Sequence, residues 1–212
     1  MLKIESLSKK FEVDKKEIQI LEDVNVEIEK GTFITIVGHS GCGKSTLLKI
    51  IAGLVDYQEG KVLLDGELIG KPDQRRGLLF QNHRLLPWLT VEENIKFGLN
   101  SAEKKAQSKK VQEQIEIVGL SGFEKAYPNQ LSGGMAQRAA IARSLITNPE
   151  ILLMDEPFGA LDALTKITMQ EELLNIWEQK KNTMILVTHD IDEAIYLGDK
   201  ILIMSKRPGT IT

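Results

Sequence analysis

A glycine-rich segment around one lysine, GHSGCGKS at residues 38–45, has the composition and spacing of a loop that binds phosphate. It follows a short apolar run at residues 33–37 and precedes a helical pattern of apolar residues at 47–54. Glycines allow backbone NH groups to close around a phosphate, and the following helix adds the positive end of its dipole. The residues predicted to surround phosphate are Gly38, His39, Ser40, Gly41, Cys42, Gly43, Lys44, Ser45 and Thr46.

Individual side chains in this segment have separate predicted roles. Lys44 is expected to reach the β- and γ-phosphates, Ser45 to bind Mg²⁺, and Thr46 to donate a hydrogen bond toward the α-phosphate. The alternative is a glycine-rich turn with an incidental lysine. Cys42 has two interpretations, a reactive thiol near a helix N-terminus or a small side chain that fills space.

Two adjacent carboxylates follow an apolar run at residues 151–154. Asp155 suits Mg²⁺, usually through a bound water molecule. Glu156 lies one residue further, where it is expected to polarise an attacking water molecule as a general base. Such a pair after a strand also occurs as a cap at a helix N-terminus, but its combination with a phosphate-binding loop favours the catalytic interpretation.

A second glycine motif, LSGGMAQR at residues 131–138, opens a helix that we predict over residues 135–145. Ser132, Gly133 and Gly134 would form a second anion-binding site at a helix N-terminus. In isolation the segment is more typical of an ordinary helix cap. A chain with two phosphate-binding helix ends and one nucleotide needs a partner subunit.

The composition of this 212-residue chain excludes several classes of protein. It has no run of roughly 18 apolar residues, so we expect no membrane span. The N-terminus has acidic residues within its first dozen positions and no apolar segment of signal-peptide length, so we expect no signal peptide and a cytosolic location. A single cysteine cannot form an internal disulfide or a cysteine-based zinc site. The net charge of -3 gives no support to nucleic-acid binding, and none is expected.

The order of the apolar runs predicts an α/β fold. The β-rich first third, with an Asp-Gly turn at residues 65–66, predicts an antiparallel β subdomain. Continuous apolar runs at 151–154, 184–188 and 201–204, with helical sequence between them, predict a parallel sheet covered on both faces. Such sheets bind ligands beyond the carboxyl ends of their strands, where this chain has polar residues.

The composition of the sequence changes at residues 87–126, where charged, helix-favouring residues dominate. Val111, Ile115 and Val118 form one apolar helix face, and the lysine-rich run at 103–110 is interpreted as a solvated face. We therefore predict one domain over residues 1–212, with the nucleotide-binding core and β subdomain at 1–86 and 146–212 and a helical insert at 87–145.

At residues 131–138 the chain resembles the ABC ATPases, whose signature is LSGGQ followed by a QR pair. Met135 replaces the commonest residue, glutamine, which puts one amide contact in doubt. The resemblance covers essentially the whole chain and implies a P-loop NTPase core that binds ATP and Mg²⁺ and hydrolyses ATP. It also implies that Ser132, Gly133 and Gly134 contact the γ-phosphate of the ATP held by the opposite subunit.

The resemblance implies roles for further residues. Gln81 corresponds to a glutamine that touches Mg²⁺ and links the site to the permease, and His189 to a histidine that contacts the γ-phosphate. Asp162 corresponds to a residue that faces the partner subunit, and Phe11 matches either the aromatic that stacks on adenine or a core residue. The catalytic residues would be Glu156, His189, Gln81 and Lys44, and the Mg²⁺ residues Ser45, Gln81 and Asp155.

Two further segments, LLPWLTV at residues 85–91 and KRPGTI at 206–211, resemble sequences of the nitrate, sulfonate and taurine importer branch of the family. This resemblance implies an energy-coupling subunit at the cytoplasmic face of the membrane. Its partners would be a second copy of itself or a homologous ATPase subunit, integral membrane permease subunits and, indirectly, an extracytoplasmic solute-binding protein. Trp88 is expected at the permease interface or in the core.

Two classes of function stay open from the sequence. One is the importer subunit, and the other is a soluble ABC-type ATPase that acts on a non-membrane partner. A GTPase is disfavoured because the chain has no Asn-Lys-x-Asp guanine motif.

Overall fold

The computed structural model describes residues 1–81, 84–99 and 108–211. His83 and most of the lysine-rich run lie outside the described residues. The strands are β1 (Leu2–Val13), β2 (Lys16–Ile28), β3 (Phe33–Gly38), β4 (Glu59–Leu64), β5 (Glu67–Leu68), β6 (Arg76–Leu79), β7 (Ile151–Asp155), β8 (Thr183–Thr188) and β9 (Lys200–Met204). The helices are α1 (Lys44–Ile51), α2 (Val91–Phe97), α3 (Ser108–Ile117), α4 (Gly133–Leu145), α5 (Ala163–Lys180) and α6 (Ile191–Leu197), with a 3₁₀ turn at Pro128–Gln130.

An antiparallel sheet with the strand order β2-β1-β4-β5 forms the predicted β subdomain. The β4–β5 turn has φ angles of 53° at Asp65 and 82° at Gly66, which fit the left-handed turn that an Asp-Gly pair favours. On one face, Leu2 and Ile4 of β1 are buried opposite Leu64 and Val62 of β4. This face belongs to the same core as α1 and β3, so the subdomain packs on the elements that carry the predicted phosphate-binding loop.

The second sheet is parallel, with the order β6-β7-β8-β3-β9, and confirms the predicted α/β core. Strand β8 is buried along its whole length, as expected for a central strand with helices on both faces. In the sheet register Val37 lies opposite Thr188, and Asp155 lies opposite Val187. The strand ends are therefore level, and the residues that follow β3, β7 and β8 lie along one edge.

Helices α2, α3 and α4 share a hydrophobic core with β7 and α5. The predicted apolar face of α3 is buried there through Val111 and Ile115, and Val118 follows just beyond the helix end. Helix α2 begins with a capping box in which Thr90 and Glu93 bond each other's backbone NH groups. Helix α4 packs on the same core as β7, so among the described residues no gap in the packing separates the insert from the nucleotide-binding core. The bounds of the insert at 87–145 stay a prediction.

Candidate active site

The glycine-rich loop lies between the end of β3 and the start of α1. Gly41 and Gly43 have φ angles of 76° and 112°, in the left-handed region that favours glycine. A Cβ atom at Gly43 would lie 2.7 Å from Leu21 Cδ2, so β2 leaves no space for one. The loop backbone therefore follows a path along the β subdomain that only glycine allows.

Lys44 is the first residue of α1, and its side chain turns back into the loop. Its ammonium group donates hydrogen bonds to the carbonyl oxygens of Gly38 at 2.7 Å and His39 at 3.0 Å. The residue is only 5% exposed. The fold thus places a cation inside the loop, where the phosphates of a nucleotide would be bound.

A cavity of about 210 Å³, which we call the phosphate cavity, opens beside the loop. Its walls are Ile20, Ser40, Gly41, Gly43, Lys44, Ser45, Thr46, Glu156 and Arg207. The predicted general base, Glu156, therefore faces the same space as the predicted phosphate-binding residues, although the two lie more than a hundred positions apart in the sequence.

The predicted Mg²⁺ residues Ser45 and Asp155 contact each other. Ser45 Oγ donates a hydrogen bond of 2.8 Å to Asp155 Oδ1. Hydroxyl and carboxylate oxygens are donors that Mg²⁺ prefers, and the ion usually binds through one or two carboxylates together with water and phosphate oxygens. Across the described ranges there is no group of three or more His, Cys, Asp or Glu side chains that could hold a metal ion. The donor set fits an Mg²⁺ ion that arrives with a nucleotide.

Glu156 and His189 follow the neighbouring strands β7 and β8, and their side chains meet. His189 Nδ1 lies 3.3 Å from Glu156 Oε2, and the two side chains are 65% and 25% exposed. Glu156 has a φ angle of 46°, an uncommon conformation that clusters at functional sites. Its NH donates to the Val187 carbonyl at 2.9 Å, which fixes the turn after β7 to β8.

A charged cluster adjoins this pair. Lys166 Nζ lies 2.6 Å from Asp190 Oδ2 and 2.8 Å from Glu193 Oε2, whose side chain is 3% exposed. Burial opposes the charge of Lys166, but the bonds to both carboxylates outweigh it and raise the pKa of Lys166. The bond from Lys166 also lowers the pKa of Asp190. The cluster lines a cavity of about 160 Å³ together with Glu156 and His189.

The second glycine motif forms the N-terminus of α4, which begins at Gly133, two residues earlier than predicted. Ser132 is the N-cap, and its Oγ accepts a hydrogen bond of 3.3 Å from the Met135 NH. Ser132 and Gly133 are exposed, whereas Gly134 is buried against Thr165 of α5. Asp162 caps α5 by accepting bonds from the Thr165 NH and hydroxyl, which lower its pKa.

Residues 21–159 match the family model described as ABC transporter. The chain belongs to the ABC transporter family. This ABC ATPase is 59% identical over 208 residues to the aliphatic sulfonates import ATP-binding protein SsuB of Bacillus cereus (strain ATCC 10987 / NRS 248), an alignment that covers 98% of this chain and 82% of the relative. It is 45% identical over 212 residues to the nitrate import ATP-binding protein NrtD of Synechococcus elongatus, covering 98% of this chain and 77% of the relative.

Solved ABC cassettes have the same fold. The dimeric structure of MJ0796, a bacterial ABC transporter cassette, has a TM-score of 0.83 and 34% identity over 100% of this chain and 96% of that one. A post-hydrolysis dimer of MJ0796 bound to ADP and Pi matches equally well, with the same TM-score of 0.83. In the parts of this ABC ATPase that the structure describes, every helix is too short or too polar to cross a bilayer.

Three further predicted residues, Gln81, Phe11 and Cys42, do not line the cavity beside the glycine-rich loop. Gln81 is exposed, and a Cβ atom at Gly159 would lie 3.8 Å from its Nε2. Phe11 lies on the β1–β2 hairpin, 38% exposed, with Lys9 Nζ 4.7 Å from its ring centre. Cys42 is 1% exposed, which favours the space-filling interpretation of its side chain. The roles of Gln81 and Phe11 in the ABC ATPase stay predictions.

The structure places at the site two side chains that the sequence did not single out. Arg207 lines the phosphate cavity, although its segment was noted only for its resemblance to an importer branch. Lys166 joins two carboxylates next to His189. No local signal marks Lys166, because it is one lysine on a helix and its partners lie at the start of another.

Proposed function

We propose that this ABC ATPase is the energy-coupling subunit of an importer for a small anion such as nitrate, a sulfonate or taurine. The observation that carries the ATPase part of the proposal is the cavity that is lined both by the glycine-rich loop and by Glu156. Relatives named as sulfonate and nitrate import proteins support both the direction of transport and the class of solute.

The phosphate loop supplies the binding half of the proposed site. Lys44 exchanges its bonds to the Gly38 and His39 carbonyls for oxygens of the β- and γ-phosphates. Ser45 and Asp155 would hold Mg²⁺, with Gln81 as a further oxygen donor. When bound, this ion supplies charge neutralisation at the phosphates. Phe11 would stack on the adenine ring from the β subdomain.

Glu156 supplies the hydrolytic half. Glu156 lines the phosphate cavity, and one oxygen of its carboxylate lies 3.3 Å from His189 Nδ1, which orients the group. In this position Glu156 polarises a water molecule for attack on the γ-phosphorus, and His189 contacts the γ-phosphate. The bond that breaks joins the γ-phosphorus to the bridging oxygen of ADP, and the products are ADP and phosphate.

A second subunit completes the site. Ser132 and Gly133 lie exposed at the N-terminus of α4, where backbone NH groups and the helix dipole favour an anion. We propose that this end binds the γ-phosphate held by the opposite subunit, so that two MgATP molecules lie between two subunits. The dimeric ABC cassettes of the same fold support this arrangement.

A separate surface would receive the permease. Trp88 is 69% exposed and Phe97 is 59% exposed, which favours the interface role for Trp88 over the core. Phe97 and Leu86 line a shallow cavity of about 320 Å³ with Arg143. A short amphipathic helix of a membrane permease fits a groove that combines apolar and charged side chains, and its docking would hold the subunit at the cytoplasmic face of the membrane. The solute-binding protein would act on the subunit only through that permease.

The experiment that tests the ATPase site and its dimer is Glu156→Gln. This change keeps the size of the side chain and one acceptor oxygen but removes the base, so ATP is bound and not cleaved. Light scattering after size exclusion should show a dimer that accumulates with ATP, and a monomer without it. The control is the double variant Lys44→Ala/Glu156→Gln, which should stay monomeric. If Glu156→Gln binds ATP and remains monomeric at saturation, the two-subunit mechanism is wrong.

A further inference from the structure

The turn that follows β9, residues 205–211, lies against the phosphate loop. Arg207 Nη2 and Nε donate hydrogen bonds of 2.9 and 3.2 Å to the carbonyl oxygen of Gly41. The Arg207 side chain also lines the cavity that contains Lys44 and Glu156. Arg207 is thus a second cation at this cavity, and it touches the loop backbone directly.

The turn that carries Arg207 is itself fixed. Gly209 donates its NH to the Ile20 carbonyl at 2.8 Å and accepts from the Glu22 NH at 3.1 Å, which ties the turn to β2. A Cβ atom at Gly209 would overlap the Cys42 carbonyl oxygen, so the turn and the loop are in close contact. Within the turn, the Thr210 NH donates to Ser205 Oγ at 2.9 Å. The backbone of Arg207 is therefore held in a defined position beside the loop.

The orientation of the Gly41–Cys42 peptide matters for anion binding. A phosphate loop works only when its NH groups point toward the anion and its carbonyl groups point away. In a planar trans peptide the carbonyl and the next NH point in opposite directions, so a partner that holds the Gly41 oxygen also sets the direction of the Cys42 NH. In this structure the Cys42 NH donates a hydrogen bond of 3.3 Å to the His39 carbonyl oxygen, which also accepts from Lys44. Gly41 has a φ angle of 76° and no side chain, so the bonds to Arg207 on one side and His39 on the other fix the direction of this peptide.

We propose that Arg207 is a positioning residue that holds the Gly41–Cys42 peptide in this orientation, with its NH directed toward the His39 carbonyl inside the loop, and that phosphate binding requires this orientation. This inference rests on the phosphate site proposed above. The planar guanidinium makes two bonds to one oxygen, a geometry that a lysine ammonium cannot reproduce. Without it the peptide rotates, fewer loops are ready to bind, and the apparent affinity for the triphosphate falls. Glu156 and His189 do not depend on this peptide, so cleavage of bound ATP is unaffected.

The test compares ATP with inorganic tripolyphosphate, which has the phosphates but no nucleoside. Competition with a fluorescent ATP analogue gives both affinities for wild type, Arg207→Ala, Arg207→Lys and the control Lys206→Ala, which removes the neighbouring exposed cation of the same turn. Arg207→Ala should weaken binding of both ligands by the same factor, roughly tenfold, because both charge-assisted hydrogen bonds to the Gly41 carbonyl are lost. It should raise KM for ATP by that factor and leave kcat within about threefold. Lys206→Ala should stay within about twofold for both ligands.

Two comparison variants separate this inference from the site itself. Lys44→Ala should lose both ligands, and Phe11→Ala should weaken ATP only. If Arg207→Ala binds both ligands as wild type does, or loses affinity for ATP alone, Arg207 does not act through the phosphate loop. If Lys44→Ala retains tripolyphosphate, the phosphate site is wrong and the role of Arg207 with it. Should the alanine variant fail to fold, Arg207→Lys decides, with an expected loss of about threefold for both ligands.

Discussion

At the scale of single residues, the two adjacent glycines of the α4 motif differ in what surrounds them. Gly133 is exposed, and a Cβ atom there would meet nothing closer than Leu161 Cδ2 at 3.8 Å. Gly134 is buried, and its Cβ atom would lie 2.7 Å from Thr165 Cγ2. Gly133 is therefore available to a ligand or a partner, whereas Gly134 allows α4 and α5 to approach each other.

Gly134→Ala should destabilise the fold by about 1–3 kcal/mol, because the added methyl group overpacks the α4–α5 contact. Thr165→Ser removes the clashing Cγ2 but keeps the hydroxyl that donates to Asp162 at 2.7 Å. The double variant should regain most of the lost stability. Urea denaturation of the single and double variants measures this, and a Gly134→Ala protein as stable as wild type would contradict the packing argument.

Cys42 should react slowly with thiol reagents in the folded protein. Its side chain is 1% exposed and belongs to the core below the loop, so a reagent must wait for local opening. An aromatic disulfide reagent should label the native protein roughly a hundredfold more slowly than the protein in denaturant. Equal rates in the two conditions would show that the thiol faces the cavity instead.

At the scale of elements, the Lys166 cluster joins helix α5 to the start of α6. Helix α5 begins after Asp162 and α6 after Asp190, so one lysine links the turns that carry the predicted partner-facing and γ-phosphate-sensing residues. Its bonds cross from one helix to the other, and the Glu193 carboxylate that it pairs is almost fully buried. The relative position of these two turns therefore depends on the Lys166 side chain, which belongs to neither turn.

Lys166→Met should cost about 3 kcal/mol of stability, because it leaves the buried Glu193 carboxylate without its cation. Lys166→Arg should retain most of the wild-type stability, because it keeps a cation beside Glu193. The difference between the Met variant and wild type should also depend on pH. Since the folded-state pKa of Asp190 lies below its usual value of 3.8, its contribution is complete above that pH and is lost as the pH falls further. Urea denaturation between pH 3 and 8 measures both effects; a Met variant as stable as wild type would refute them.

At the scale of the whole molecule, two exposed surfaces serve the two proposed kinds of partner. The α4 N-terminus offers polar backbone groups at Ser132 and Gly133, which suit a phosphate between two subunits. Trp88 and Phe97 offer apolar side chains, which suit a permease helix. Because different residues form the two surfaces, each can be changed without the other.

Gly133→Asp in the Glu156→Gln background should prevent the ATP-dependent dimer. The new carboxylate would repel the γ-phosphate of the partner, and the open space around Gly133 lets the fold accommodate it. Size exclusion with ATP measures association, and an unchanged denaturation curve shows that the subunit still folds. Dimers at wild-type affinity would place the γ-phosphate contact elsewhere.

Trp88→Ala should weaken association with permease-containing membranes by about tenfold or more, since exposed tryptophans dominate many protein interfaces. ATP affinity and ATP-dependent dimerisation of the Glu156→Gln protein should be unchanged by it. Sedimentation with vesicles that carry the permease measures the first, and size exclusion the second. Full retention of membrane binding would remove Trp88 from the permease surface.

The sequence by itself determined the features that depend on local chemistry. The glycine-rich loop and the Asp-Gly hairpin were predictable because glycine at these spacings favours a particular backbone turn. The carboxylates at the end of β7 were singled out because they accompany that loop, since such a pair alone also occurs as a helix cap. Strand order along the chain also implied that Gly38, Asp155 and His189 would share one sheet edge. The start of α4 was missed by two residues, because a Ser-Gly-Gly segment suits a cap and a first turn equally well.

Only the tertiary structure decided which side chains meet across the sheet. Burial of Gly134 depends on the approach of α5, and burial of Cys42 depends on the core below the loop. The contact between Arg207 and Gly41 joins residues 166 positions apart, and the Lys166 cluster joins two helices. Such contacts follow from the packing of whole elements, whose geometry is set by many weak interactions and not by any short pattern of residues.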